Sequence, residues 1–364
     1  MKTSNNSLTA LALQKFKKNT TGVLSFWFVI LSGLIAVFAY TIAPDNSCNA
    51  NQMHLEIHSK KPGFEVLMLT IPSESTIEQS FFDKLLFGIK SQHTEIPISS
   101  YQISKNSLIT NSYTENDSES QTKTYQLSTF NNSDISNFVN TKKFYLGTDK
   151  YGRDLLSRML VGTRISFFIG FIAVFISLVI GISVGAIAGY FGGKVDALIM
   201  WLINITWSIP TLLLVIAITL ALGKGYWQVF IAVGLTMWVE VARVVRGQLM
   251  SAKEMQYVEA AKALGFSNFR IIFRHILPNI MAPVIVISAA NFAGAILIES
   301  GLSFLGIGAQ PPTPSWGGMI KDHYSYIILG KAYLAVIPGV AIMCLVMAFM
   351  LIGNALRDAL DVKN

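Results

Sequence analysis

Six stretches of the chain carry no Asp, Glu, Lys or Arg and are dominated by apolar side chains: Gly22–Ala43, Ile165–Gly193, Ala197–Leu222, Gly225–Val239, Ile276–Ile298 and Ala332–Leu356. About 20 apolar residues in a helix cross the hydrocarbon core of a bilayer. Five stretches reach that length unaided. The fourth reaches it only by running on through Glu240 to about Val245, with its end at the headgroups. The pattern predicts an all-α polytopic membrane protein with six transmembrane helices. The first stretch exceeds the ~7–15-residue core of a secretory signal, and no small-x-small cleavage site stands near Ala43, so it predicts an uncleaved first helix.

Residues 44–143 differ in character and are rich in Ser, Thr and Asn. His54–Ser59 and Phe64–Ile71 read as strands around the turn Lys61-Pro62-Gly63, followed by strands over Ile96–Ile103, Ser107–Tyr113 and Lys123–Phe130. Ser75-Thr76-Ile77-Glu78 has the form of a capping box. Ile77, Phe81, Leu85 and Ile89 then repeat at helical spacing. Thr114–Gln121 reads as a polar tip. The expected organisation is a tail and first helix over 1–43, a small α/β insert over 44–143, and a core of helices two to six over 144–364.

Charge changes the picture in two ways. Only 13% of residues are charged, half of the roughly 25% of a soluble domain, which excludes an ordinary soluble enzyme. The net charge of +7 would suit nucleic acid, but its placement favours another account. The tail 1–21 holds four lysines and no acid, and 240–275 holds Arg243, Arg246, Lys253, Lys262, Arg270 and Arg274. Short flanks rich in Lys and Arg face the cytoplasm. Both termini are therefore expected inside, the insert outside, and the basic excess serves topology rather than nucleic-acid binding. Cys48 and Cys344 are too few for a disulfide scaffold or a structural zinc site.

The segment 246–278 is the most informative. Residues 254–264 predict a short helix with Ala260, Ala261 and Leu264 on its apolar side. Gly265 stands where a left-handed C-cap is needed, and Ser267 can cap a second helix. Leu277-Pro278 marks the passage into the fifth span. Glu259-Ala260-Ala261, three residues, Gly265, nine residues and a hydrophobic-x-Leu-Pro ending resemble the coupling-loop motif of ABC importer permeases. His275 replaces the usual Ile, and His275-Ile276-Leu277-Pro278-Asn279 resembles the oligopeptide/dipeptide/nickel subgroup. Leu146–Asp154, Ser157-Arg158, Gly162–Ser166, Tyr190–Asp196, Glu299–Gly308, Gln310–Gly317 and Leu356–Asp361 resemble further segments of that subgroup. Residues 44–143 lie outside the resemblance, being longer than the family's usual outer loop.

The resemblance implies the type I importer permease fold in a bacterial inner membrane. It also implies a transport subunit for peptides that forms half of a pore with a second permease, served by two cytoplasmic ATPases and an extracytoplasmic binding protein. Glu259–Ser267, Phe266 included, would contact the ATPase, with Glu259 paired to a nearby arginine within the loop. ATP would belong to the partners. No Gly-x-x-x-x-Gly-Lys-[Ser/Thr] phosphate loop occurs here, and no cofactor or metal is expected on this chain. Nickel complexes and antimicrobial peptides are the alternative cargoes. An anchored sensor explains the insert but leaves the loop without a purpose. An intramembrane enzyme would need paired ionisable groups in the spans.

Other residues carry two readings each. Gly181, Gly185 and Gly189 make a double Gly-x-x-x-Gly, for close helix packing or for sliding. Pro210 and Pro338 are packing kinks or hinges. His54, Glu56 and His58 share a face if that segment is a strand, as a polar face or a metal site. Glu299, just past the fifth span, would orient the outer loop or line the outer pore.

Overall fold

The computed structural model describes residues 8–72, 79–90, 93–104, 107–114, 121–130 and 135–360. The capping box at 75–78 and most of the polar tip at 114–121 lie outside the described residues. The chain forms two compact units. One comprises the chain up to Gly33, Ser166–Gln310 and the chain from Gly339; the other comprises Leu34–Ile165 and Pro311–Pro338.

In the first unit a short helix α1 (Leu8–Lys18) leads into α2 (Thr20–Val37), whose first turn is capped by Asn19 accepting the Gly22 N–H at 2.9 Å. Five helices among the described residues are long and apolar enough to cross a membrane. They are α2, α5 (Leu155–Phe191), α8 (Tyr226–Lys253), the run Asn268–Phe304 that ends in α11 (Met281–Phe304), and α13 (Tyr333–Leu360). The third expected span is not a single helix. It is split into α6 (Gly193–Ser208) and α7 (Thr211–Leu222), bent by 92°; counted as one broken span, the pair brings the total to six. The cause is local. Pro210 has no N–H to continue the ladder and forces the residue before it out of the helical region, and Ile209 is extended at ψ 127. Pro338, by contrast, lies inside a continuous α13. The fourth span overruns its expected end, because α8 continues through its charged residues to Lys253.

The double glycine motif of α5 packs against α8. A Cβ on Gly181 would stand 2.8 Å from the Trp238 carbonyl oxygen. On Gly185 it would stand 2.5 Å from that of Ala242, and on Gly189 2.9 Å from that of Arg246. Real Cβ atoms do not approach this closely, so glycine here is a condition of helix contact.

The second unit contains the one-turn helix α3 (Ala39–Ile42) and holds the insert between the first and second spans. It is a five-stranded antiparallel sheet of order β4-β3-β2-β1-β5 with a short helix, α4 (Phe81–Phe87). The strands are β1 (Phe64–Pro72), β2 (His93–Ser104), β3 (Ser107–Ser112), β4 (Thr122–Gln126) and β5 (Val139–Phe144). Alternating β1 side chains serve two cores. Leu69 joins Ile98, Leu108, Phe130 and Ile135 on one face, while Val66 and Met68 join Ile57 and Phe144 on the other. The expected strand at His54–Ser59 is instead a 3-10 turn, Leu55–Ile57. The shared face of His54, Glu56 and His58 goes with it: His54 is buried while the other two are exposed. No metal-binding group of three His, Cys, Asp or Glu occurs among the described residues.

The segment 146–158 supplies this unit with a buried polar hub. Asp149 Oδ2 accepts from Arg153 Nε at 2.7 Å, and its Oδ1 accepts the Tyr151 and Arg153 N–H groups at 2.8 and 3.0 Å. Arg153 reaches Asn51 Oδ1 at 2.9 Å, and Arg158 donates to the Asn49 carbonyl at 3.3 Å. Burial raises the Asp154 pKa above the ordinary aspartate value. On α12 (Trp316–His323), the buried His323 donates Nδ1–H to the Met319 carbonyl at 2.7 Å, and its Nε2 accepts the Lys150 N–H at 3.4 Å. Burial lowers the pKa of this histidine, and does the same to His54.

Candidate functional site

The segment between α8 and α11 folds as a knob. Its first helix, α9 (Gln256–Ala263), has Val258 and Ala261 turned inward. They share a core with Val245 and Leu249 of α8, Tyr190 of α5, and Ile271, Ile272 and Ile276 downstream. The expected apolar side is therefore divided. Ala261 is buried, but Ala260 is exposed and Leu264 is 71% exposed. Val258 takes the inward position because it stands three residues before Ala261, one helical turn away.

Leu264 closes α9 and Gly265 follows at φ +72. Gly265 N–H donates to the Lys262 carbonyl at 2.9 Å, and Phe266 N–H to that of Ala261 at 3.2 Å. These are the two bonds of a Schellman C-cap, which favours glycine at this position. A Cβ on Gly265 would meet nothing within 4 Å, so backbone conformation, and not space, sets the requirement. Ser267 Oγ accepts the Arg270 N–H at 3.4 Å and caps α10 (Asn268–Arg270). The chain continues through a π turn, Ile271–Ile276, and a 3-10 turn, Leu277–Ile280, with Pro278 in its first turn, where a missing N–H costs little.

Phe266 fixes the knob's tip. The His275 ring stacks on it at 5.5 Å with 10° between planes, and the Arg270 guanidinium lies 4.2 Å from its centroid. Tyr190 Oη donates to Asn268 Oδ1 at 2.8 Å, and Lys253 Nζ to the Tyr190 carbonyl at 2.7 Å, pinning the knob to the end of α5. Glu259 does not form the expected intraloop pair. It is exposed, and no arginine among the described residues is in ion-pair contact with it. Two of the segment's arginines are engaged elsewhere: Arg270 on Phe266, and Arg246 on Asp196. Among the side chains left outward are Glu259, Ala260, Leu264 and, at 69% exposure, Phe269.

Glu299 is not outside the fifth span but within α11, and 1% exposed. Ser303 Oγ donates to its carboxylate at 2.7 Å and accepts the Ala309 N–H at 3.2 Å. This chain of bonds orients the turn after α11.

A family model described as the binding-protein-dependent transport system inner membrane component matches residues 181–363, which contain the knob and both faces of its core. The chain belongs to this family. The N-terminal TM domain of oligopeptide transport permease C matches residues 7–62. The permease is 42% identical over 219 residues to the dipeptide transport system permease protein DppC of Alkalihalophilus pseudofirmus, covering 60% of this chain and 72% of that protein. It is 38% identical over 219 residues to the glutathione transport system permease protein GsiD of Pectobacterium atrosepticum, with the same coverage. An inward-facing methionine ABC transporter, MetNI, aligns with TM-score 0.47 and 18% identity over 56% of this chain and 95% of that one. The permease is thus a multi-pass inner-membrane subunit of an ABC importer. It catalyses no reaction itself, and it works with ATPase subunits and a binding protein.

Proposed function

We propose that this permease carries peptides. It would form half of a pore with a second, similar permease, above two cytoplasmic ATPases and beneath an extracytoplasmic binding protein. The cargo class follows from relatives named for dipeptide and glutathione transport, glutathione itself being a short peptide. The orientation follows from the basic residues of the tail and of 240–275, with both termini cytoplasmic and the insert outside.

The observation that carries the coupling role is the knob's division of labour. Val258 and Ala261 fasten it to α5, α8 and the start of the fifth span, while Leu264 and Phe269 are left to solvent. Exposed apolar side chains on a rigid protrusion suit a groove on a partner. Glu259 and Ala260 would touch the ATPase directly, Gly265, Phe266 and Ser267 would shape the tip, and His275, Leu277 and Pro278 would pass its movement to α11. In the test, Leu264→Asp and Phe269→Ser should leave the amount of inserted permease unchanged. Both should sharply reduce ATPase recovered in a pull-down and dipeptide uptake in proteoliposomes. Full ATPase recovery with both variants would overturn the docking assignment.

A further inference from the structure

The α6–α7 break opens a cavity of about 290 Å³ within the first unit, lined by Thr206, Trp207 and Thr211 at the break, Thr236 and Glu240 on α8, and Asn291 on α11. Its chemistry is unequal. Thr206 and Thr236 donate their hydroxyl protons to their own helices, to the Leu202 carbonyl at 3.0 Å and the Val233 carbonyl at 2.8 Å. Each therefore has only acceptor lone pairs to offer inward. Glu240 adds a carboxylate midway along the 28-residue α8, a helix as long as a bilayer is thick. An ionisable group inside a candidate span and facing a cavity marks a functional site.

No cation among the described residues neutralises Glu240. Arg243, one turn away, makes no ion pair with it; the guanidinium lies 3.5 Å over the Trp207 ring at the cavity's edge and donates to Asn204 Oδ1 at 2.9 Å. Opposite stands Asn291, 2% exposed, whose Nδ2 has no hydrogen-bond partner. A buried donor left without a partner is destabilising, and a ligand acceptor would relieve it. The site so described has an anionic acceptor, hydroxyl acceptors, and one waiting donor.

We propose that this cavity is a subsite for a protonated amine bearing a neighbouring carbonyl, which is the chemistry of a peptide's amino end. Glu240 takes the ammonium and Asn291 donates to the carbonyl oxygen. The amine assignment rests on the cavity itself; its owner being a peptide rests on the proposed function.

The experiment uses the complete importer in proteoliposomes, with Cys48→Ser and Cys344→Ala and a reporter Ala290→Cys, an exposed position on the cavity wall. The thiol is treated with a cationic trimethylammonium methanethiosulfonate and with its anionic sulfonate counterpart. The cationic reagent should react about tenfold faster than the anionic one, since a charged cleft concentrates counter-ions by that order. Glu240→Gln should abolish the preference. Equal rates with Glu240 present, or a preference that survives Glu240→Gln, would overturn the proposal. So would a cysteine unreactive here and also at Thr211→Cys, since the cavity would then admit no solute. A second arm asks whether dialanine protects the reporter better than N-acetyl-dialanine, whether Glu240→Gln removes the difference, and whether Asn291→Leu weakens protection by dialanine. Equal protection by the two peptides overturns the subsite while leaving peptide import intact. A Glu240-dependent charge preference together with better protection by dialanine, but with neither peptide transported, upholds the amine subsite and refutes the peptide reading.

Discussion

Arg246 of α8 grips Asp196 in the first turn of α6 with two prongs, Nε to Oδ1 at 2.5 Å and a terminal nitrogen to Oδ2 at 2.6 Å. The pair ties the start of the broken helix to the helix that carries the knob. Two parallel charge-assisted bonds exceed a single surface contact in both strength and direction.

Because the fit is two-pronged, lysine cannot replace the arginine. Arg246→Lys should lower the thermal midpoint of the detergent-solubilised permease nearly as far as Arg246→Gln does. A double-mutant cycle with Asp196→Asn should give a coupling of roughly 1 kcal/mol, reduced in high salt, since both groups are partly solvated.

Gly265 provides a test of backbone conformation alone. Its φ of +72 costs a β-branched residue roughly 1–2 kcal/mol, and no neighbour obstructs a side chain there. Gly265→Val should insert and accumulate normally but fail to couple ATP hydrolysis to uptake. Gly265→Asn, which tolerates the left-handed region, should retain much of the uptake. Equal loss in both variants, at matched expression, would point to a contact role for the glycine in place of a conformational one.

Two buried histidines of the second unit, His54 and His323, predict an acid sensitivity. Folding lowers the His54 and His323 pKa values, burial being the main cause for each. The unfolded chain therefore binds more protons in this range, and stability is lost as pH falls below about 6.5. Protonating His323 also removes the lone pair that receives the Lys150 N–H. Hydrogen exchange over 149–154 and 319–323 should accelerate between pH 7.5 and pH 5. His323→Gln should flatten that response.

What the sequence disclosed was what local physics decides. The apolar runs announced the spans by length alone. Gly265 and Ser267 were legible as caps, because a cap needs only its own turn. Pro210 was legible as a kink or hinge, but hydropathy does not register direction, so the 92° size of the bend inside an unbroken apolar run was not. Ala260 and Leu264 were assigned to the inner face, although which side of α9 is buried depends on α5 and α8. The alternation of Leu55 and Ile57 suggested a strand, but only Ile57 is buried and the backbone turns there. β5 went unread because its lysines, suited to an edge strand, mask the alternation that ends in Phe144. The fourth span was ended near Val245, with its charged flank taken to mark the headgroups, whereas the helix itself continues to Lys253.

The glycine contact of α5 with α8 has a mechanical consequence. The α5 backbone is seated directly on α8 there, against its carbonyls and the side chains of Val241, Val245 and Leu249, so the two helices form a laminated beam that bends little along its length. The knob is fastened to that beam near its foot. In the proposed coupling role, a push on the knob would be carried along the beam with little loss, and the compliance for a gate would have to come from a joint outside it. Ile209-Pro210, where the helical hydrogen-bond ladder is already interrupted, is such a joint.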